Sequence, residues 1–499
     1  MTAAGTTATF RKVTGLTIVG ENRMKSLRSI IAWAVVIALP SAASSQQPAE
    51  TNALVDRAFQ QWDNAESPGC AVGVAHGGRV VLSKAYGMAD LEHDIPNSPA
   101  TIFEAGSVSK QFTAAAVVLL AQQGKLSLDD DVRRYVPEVP DYGPTIKIRH
   151  LLTHTSGLRD WGSVAALSGW GRSARTHTHD HVLDILSRQR GLNFTPGDEY
   201  SYSNSGYNLL AVIVARVSGM SFAEFSRQNI FEPLGLRDTQ WRDDYTRIVR
   251  GRSSAYAAGR AGYTIDRPIE NVHGNGGLLT TVADLLTWNE ALAMGRLGGS
   301  AFVEEMHRQG VLNNGSRITY ASGITVSSYR GVPEVSHTGA TSGYRAFLAR
   351  YPDQHIDVAV LCNASNVNPG SVGHLVADAF LGSAVRPAAA ARPVSEDAAE
   401  AAQNPAPRPA ATPTAAELAE YAGEYYSPDA ETALSLIVED GRLVALRRPG
   451  ARLVLTPATR DVFDAGIGRI TFIRSADGRV DQLSVRQARV YDLRFDRQR

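Results

Sequence analysis

The chain holds two cysteines in 499 residues, Cys70 and Cys362. That scarcity excludes a disulfide framework and a cysteine-rich zinc site. Each cysteine sits in an apolar, strand-like run, Cys70-Ala71-Val72-Gly73-Val74 and Val358-Ala359-Val360-Leu361-Cys362. Two small, separately buried residues are the expectation, with a cross-strand disulfide as the alternative that an oxidising compartment would permit. An excess of either charge is also missing, because 50 Lys and Arg balance 50 Asp and Glu. No nucleic-acid partner is therefore expected from charge. No long apolar run occurs beyond the N-terminal region, so no stable membrane span is expected in the mature chain. The Gly-x-Ser-x-Gly elbow of α/β-hydrolases is absent, as is a glycine loop ending in Lys-Ser or Lys-Thr that would cradle phosphate.

The N-terminus carries the order of an export signal. Lys25 and Arg28 precede the apolar stretch Ile30 to Leu39, and Pro40 and Ser41-Ala42-Ala43-Ser44 follow. Residues 1–44 are read as a signal segment cut near Ala43 or Ser44, with Met24 as the expected true start. The stretch is short for a membrane span, and the absence of a nearby cysteine argues against a lipoprotein anchor. A periplasmic or secreted location is expected.

Hydrophobic residues make up 43% of the chain, ordinary for a globular protein, and the length allows two or more domains. Residues 50–62 have helical periodicity. Cys70 to Ala75 and Val80 to Ala85 read as a hairpin turned by His76-Gly77-Gly78-Arg79. From 107 to about 310 the pattern is helical, broken by Gly- and Pro-rich loops. Strands are predicted again over Ile318 to Val326, Tyr344 to Tyr351 and Ile356 to Cys362, with a closing helix over Val372 to Leu381. Strands at both ends with helices between predict an α/β domain over 50–385: an antiparallel sheet with an inserted helical subdomain. Residues 386–414 are an Ala- and Pro-rich linker. Over 415–499, six short strands with turns at Asp440-Gly441 and Asp477-Gly478 predict a small all-β barrel.

Ser107-Val108-Ser109-Lys110 precedes the apolar run Phe112 to Leu120, so a helix is predicted to start near Ser107. Ser107 and Lys110 then share one face. A serine hydroxyl is a poor nucleophile unless a neighbour takes its proton, and a neutral Lys110 amine can do so. Backbone N–H groups at the helix start can hold a developing oxyanion. Tyr202-Ser203-Asn204 adds a phenol that can shuttle a proton beside a lysine, and an amide able to bind Lys110 and substrate together. His337-Thr338-Gly339-Ala340 lies just before a predicted strand. Gly339 leaves room for an extended substrate, the Ala340 N–H can serve as a second oxyanion donor, and His337 and Thr338 can bind a carboxylate.

Ser-x-x-Lys, Tyr-Ser-Asn and His-Thr-Gly, in that order, resemble the penicillin-recognising serine hydrolases. The similarity is to class C β-lactamases and their DD-peptidase, D-aminopeptidase and esterase relatives, and it runs roughly from Thr51 to Phe380. His150-Leu151-Leu152-Thr153-His154-Thr155-Ser156-Gly157-Leu158 and Gly274-Asn275-Gly276-Gly277-Leu278 also look like the family. The resemblance implies acylation of Ser107, proton transfer shared by Lys110 and Tyr202, and hydrolysis of the acyl-enzyme, with no cofactor or metal. It implies a small-molecule or peptide substrate: a D-amino-acid peptide, a β-lactam or an ester. An esterase, or a non-catalytic sensor of β-lactams or wall fragments, is the alternative. Class C β-lactamases usually carry Lys where His337 stands, so the chain resembles the DD-peptidase and D-aminopeptidase branch more. The 415–499 barrel is similar to lipocalin-like extensions of some members.

His177-Thr178-His179-Asp180-His181 suggests a zinc ligand set, but Asp180 suits a helix N-cap and the stretch is read as a solvated loop. His150 and His154 are read as structural, four apart on one helical face. The C-terminal arginines Arg486, Arg489, Arg494, Arg497 and Arg499 are read as a solvated sheet face.

Overall fold

Val72, Val74 and their neighbours are apolar on both faces of the strand, so Cys70–His76 (β1) is buried at six of its seven residues. A computed structural model places β1 inside a six-stranded antiparallel sheet; it describes residues 46–387 and 413–499. The predicted signal segment and nearly all of the 386–414 linker lie outside the described residues. β1 and β2 (Arg79–Tyr86) form the predicted hairpin. Gly77 and Gly78 both have positive φ, +57° and +74°, which suits the tight turn that matches strand twist. β3 (Met88–Asp90) pairs with β4 (Ile95–Pro96). A small sheet joins β5 (Phe103–Glu104), β6 (Gln240–Trp241) and β9 (Leu278–Thr280), and β7 (Tyr256–Gly259) pairs with β8 (Gly262–Ile265).

β10 (Thr325–Tyr329), β11 (Val332–Thr341), β12 (Tyr344–Tyr351) and β13 (Ile356–Cys362) complete the main sheet in the order β10-β11-β12-β13-β1-β2. Strands from both ends of the domain thus share one antiparallel sheet, as the sequence predicts. Cys70 lies opposite Cys362 in the β1–β13 register, and the two form a disulfide. This corrects the reading of two separate buried thiols: neighbouring strands bring their Cα atoms 4.0 Å apart. The strand predicted from Ile318 begins only at Thr325. Gly323, at φ +75°, turns the chain tightly against the Lys110 backbone and breaks the extended run.

One sheet face carries α1 (Gln46–Phe59), where Phe59 stacks on Tyr86 with ring centroids 4.6 Å apart, and the closing helix Pro369–Leu381. On the other side runs α2 (Lys110–Gln122), buried from Lys110 through Leu120. A helix apolar nearly all round belongs in an interior, and α2 packs against the helical subdomain. That subdomain includes α3 (Ile148–Leu152), α4 (Trp161–Leu167), α5 (His179–Ser187) and α6 (Asn204–Ser218). Helix α3 ends at Leu152 and His154 adopts φ +57°, so His150 and His154 do not share a helical face as their spacing suggests.

The C-terminal part closes as an eight-stranded barrel: β14 (Gly423–Ser427), β15 (Thr432–Glu439), β16 (Arg442–Arg447), β17 (Ala451–Thr459), β18 (Val462–Ala465), β19 (Gly468–Arg474), β20 (Val480–Gln487) and β21 (Val490–Arg497). β14 and β18 add to the six predicted strands, and β14 closes the ring by pairing with β21. Tyr425, Leu434, Ile470, Leu483, Leu493 and Phe495 are fully buried and fill the barrel.

From Pro48 onward the described residues form a single compact unit, so barrel and hydrolase-like domain share an interface. Asp429, in the β14–β15 turn, accepts from Arg159 Nη1 and Arg190 Nε, both at 2.7 Å. The Arg159–Asp429 pair is almost completely buried. Breaking one partner of such a pair leaves an uncompensated buried charge, typically at a cost of about 3–5 kcal/mol. Arg448 Nε adds a bond to the Ser168 carbonyl at 2.8 Å.

Candidate active site

Ser107 sits in a single 3-10 turn, Gly106–Ser109, that runs directly into α2. From Thr101 to Leu120 it is the one residue that is not buried. The turn is set by Gly106 at φ +51°, a conformation glycine takes without the Cβ penalty. Three residues on, Lys110 is completely buried beneath it. Lys110 Nζ lies 3.1 Å from Ser107 Oγ, 3.0 Å from Asn204 Oδ1 and 2.7 Å from the Asn275 carbonyl oxygen. Three oxygens therefore surround Nζ at hydrogen-bond distance. The Tyr202 ring centroid is 4.7 Å from Nζ, so the phenol and the cation are immediate neighbours. Ser107, Lys110, Tyr202 and Asn204 are thus brought together from two segments far apart in the chain.

Asp160 fixes the second segment. One of its oxygens caps α4 through the Ser163 N–H at 2.9 Å, and the other accepts the Asn204 N–H at 2.8 Å. Asn208, one turn along α6, accepts from Trp161 Nε1 at 2.8 Å and donates to Asn275 Oδ1 at 2.8 Å and the His273 carbonyl at 2.9 Å. The 273–278 loop is pinned to α2 by Thr113 Oγ1, which donates to the Gly274 carbonyl at 2.7 Å, and by Ser109 Oγ, which accepts the Leu278 N–H at 3.1 Å. Every link in this frame except the Ser163–Asp160 cap is buried, where a satisfied polar network holds its members in one arrangement.

The third segment is the β11 edge. A Cβ placed on Gly339 would lie 2.1 Å from the Ala105 carbonyl oxygen and 3.1 Å from the Ser107 nitrogen. One placed on Gly106 would lie 2.6 Å from the Ala340 nitrogen. The two backbones therefore pass at the closest approach that glycines permit, and the Ser107 and Ala340 N–H groups sit on facing strands of chain. Thr338 is half-buried and Ala340 exposed, while His337 is buried between them and the core. His337 Nδ1 bonds the Thr338 carbonyl, and Nε2 lies 2.9 Å from the Tyr320 hydroxyl. Both ring nitrogens thus have partners within the protein.

Around Tyr202 stands an aromatic cluster. His154 lies 4.2 Å from the Tyr202 ring, 4.6 Å from Tyr320 and 5.1 Å from Tyr207, centroid to centroid. Its Nδ1 accepts the Ser203 N–H at 3.2 Å. Burial, reinforced by the Lys110 cation, pushes the His154 imidazole well below the ordinary histidine range. His154 is a neutral wall of the site.

The barrel also reaches the site. The turn between β20 and β21 carries Arg489, whose guanidinium lies 4.9 Å from the centroid of the Tyr202 ring. Its carbonyl accepts from Asn193 Nδ2 at 3.0 Å and from the Asp160 N–H at 3.2 Å. This corrects the reading of Arg489 as part of a solvated sheet face: it sits in the turn, off the strand period. The histidine run is corrected as well. Thr178, not Asp180, caps α5, His177 is buried against Trp161 at 5.2 Å, and His179 bonds the His273 carbonyl at 2.9 Å. Among the described residues no His, Cys, Asp and Glu group has the geometry to hold a metal ion.

The family profile described as Beta-lactamase matches residues 55–382, the greater part of the chain. The chain belongs to the β-lactamase family. Among its curated relatives is penicillin-binding protein 4* of Bacillus subtilis, 32% identical over 58% of this chain and 66% of that protein. The D-aminopeptidase of Cereibacter sphaeroides is 28% identical over 64% of this chain and 63% of its own. Neither match reaches two thirds of the relative's length. A solved octameric penicillin-binding protein homologue from Pyrococcus abyssi covers 90% of this chain and 99% of its own, with a TM-score of 0.59 and 22% identity. That likeness extends the fold match through the barrel.

Asn208, Asn275, Asp160, Tyr320 and Arg489 are members of the site that the sequence reading did not assign. The Gly274–Leu278 stretch stands out in the sequence, but its carbonyl contact with Lys110 does not.

Proposed function

We propose that this β-lactamase-family protein hydrolyses amide bonds of D-amino-acid peptides through an acyl-enzyme on Ser107, and that β-lactams acylate the same serine. The observation that carries this reading is the half-buried Ser107, whose hydroxyl lies 3.1 Å from a fully buried Lys110 amine that is itself 4.7 Å from the Tyr202 ring centroid. Ser107 Oγ attacks the substrate carbonyl while its proton passes to the Lys110–Tyr202 pair. The Ser107 and Ala340 N–H groups receive the oxyanion. The C–N bond then breaks, and the leaving amine takes the proton held by the pair. Water repeats the attack on the acyl carbonyl and frees Ser107. Asn204 positions Lys110 throughout. Amide cleavage of D-residues is favoured over simple ester cleavage by the named relatives, a D-aminopeptidase and a penicillin-binding protein. The N-terminal charged and apolar stretch supports export, so the substrate is met outside the cytoplasm.

The test is hydrolysis of D- and L-alanine p-nitroanilide, together with a D-Ala-D-Ala peptide, by wild type, Lys110→Ala and Tyr202→Phe. D-selective turnover, reduced at least about a hundredfold in both variants, is expected when a general acid–base pair is broken. Equal turnover of wild type and Lys110→Ala would overturn the proton-transfer assignment. Turnover of p-nitrophenyl esters with no amide cleavage would replace the peptidase reading by an esterase.

A further inference from the structure

The contacts of His337 determine its tautomer. Its Nδ1 faces the Thr338 carbonyl, and a carbonyl oxygen can only accept, so Nδ1 carries a proton. In the neutral ring Nε2 is then the bare nitrogen, and it accepts the Tyr320 O–H across 2.9 Å. Tyr320 is brought there by the left-handed turn at Gly323, which packs against Lys110 and leaves Tyr320 buried beside the cleft. The Tyr320 ring also packs on His154 at 4.6 Å, on Tyr200 at 5.9 Å and edge-on to Tyr202 at 6.2 Å. One side chain therefore touches both walls of the site: the Tyr202 segment on the helical side and the β11 edge on the sheet side.

We propose that Tyr320 is a positioning residue of the hydrolytic site, holding His337 as its Nδ1–H tautomer and thereby fixing the Thr338–Ala340 edge against Ser107. The bond from His337 Nδ1 to the Thr338 carbonyl sets the peptide that leads into Gly339 and Ala340. Gly339 already meets the Ala105 carbonyl at the closest approach glycine allows, so a small rotation of that peptide moves the Ala340 N–H away from the oxyanion position. The Thr338 carbonyl disfavours the competing Nε2–H tautomer, in which Nδ1 would be bare and would repel that oxygen, and the Tyr320 O–H supports the same choice by donating to a bare Nε2. His337 on this account contributes no charge to the substrate. It transmits the Tyr320 hydrogen bond to the strand edge. The kinetic part of the proposal rests on Ser107 being the acylated residue, whereas the tautomer assignment does not.

The decisive variant is Tyr320→Phe, which removes the hydroxyl and keeps the ring packing. Histidine side-chain 1H–15N spectra of the full-length protein, with the His337 signal assigned by its loss in His337→Gln, read the tautomer without requiring activity. Wild type is expected to show a protonated Nδ1 and a bare Nε2, and Tyr320→Phe a shift toward the Nε2–H form. The acylation rate constant with a fluorophosphonate is expected to fall about tenfold in Tyr320→Phe, the scale of one misplaced hydrogen bond. In the His337→Gln background the same change is expected to have no further effect, because the two residues act in series. An unchanged tautomer in Tyr320→Phe, or a full tenfold effect persisting in the His337→Gln background, would overturn the proposal. If wild type were never acylated while the tautomer shifted as expected, the hydrolase reading would fall and the tautomer assignment would stand.

Discussion

Gly339 gives the sharpest test of the site's backbone geometry. Replacing it with alanine would put a methyl carbon 2.1 Å from the Ala105 carbonyl oxygen and 3.1 Å from the Ser107 nitrogen. Ordinary carbon–oxygen contact needs well over an ångström more than the first of these, and both neighbours are backbone that cannot swing aside. The β11 edge must retreat from the Ser107 turn. The Ala340 N–H then leaves the oxyanion position, and losing one such donor costs about a hundred- to a thousandfold in rate. Overpacking adds about 1–3 kcal/mol of destabilisation. The matched control is Gly276→Ala, whose added carbon would lie 3.8 Å from the Gly106 carbonyl oxygen, an ordinary contact. Both variants would be assayed for acylation rate by a fluorophosphonate and for thermal unfolding. Gly339→Ala is expected to lose acylation far out of proportion to its lower melting temperature, with Gly276→Ala near wild type. Wild-type acylation by Gly339→Ala would refute the facing of Ser107 and Ala340 argued above.

Arg489→Ala is expected to slow acylation about three- to tenfold, the range of a partly buried cation–π contact, with Arg489→Lys recovering part of the loss; an unchanged rate would remove the barrel from the chemistry. Reduction of the Cys70–Cys362 disulfide, or Cys70→Ser with Cys362→Ser, is expected to cost about 2–4 kcal/mol in urea unfolding while leaving the acylation rate of the folded protein unchanged. A loss of rate with no loss of stability would contradict a purely structural bridge. Acid should also weaken the fold. His154 and His273 are buried and pushed well below the ordinary range, mainly by burial. The unfolded chain takes up protons below about pH 6.5 and the folded chain does not, so stability falls as pH drops from 7 to 5, by up to about 2 kcal/mol for each histidine. Urea unfolding at the two pH values checks this, and a flat profile would contradict it.

The sequence is most readable where chemistry is local. Ser107 and Lys110 are one helical turn apart, so their contact follows from the period alone. The sheet is legible because the hairpin around Gly77-Gly78 and the apolar runs at 344–362 carry strong strand patterns. What stays hidden depends on long-range placement. Asn275 reaches Lys110 through its carbonyl oxygen, which any residue type would supply, so its side chain gives no signal. Tyr320 lies in a stretch that looks like a strand, and only the left-handed Gly323 converts it into a turn facing the cleft. Arg489 shares its composition with the solvated arginines around it, and its place at Tyr202 comes from barrel docking through Arg159 and Asp429. The Cys70–Cys362 pairing needs a strand register that joins the two ends of the domain.

The most direct test of the central claim is intact-mass spectrometry of the full chain and of Ser107→Ala, followed over time with benzylpenicillin and with a fluorophosphonate. The account predicts a single covalent adduct on the wild type with each reagent, mapped by peptide analysis to Ser107, and no adduct on Ser107→Ala. An adduct that persists in Ser107→Ala, or a wild type that neither reagent modifies, would contradict the assignment of Ser107 as the nucleophile.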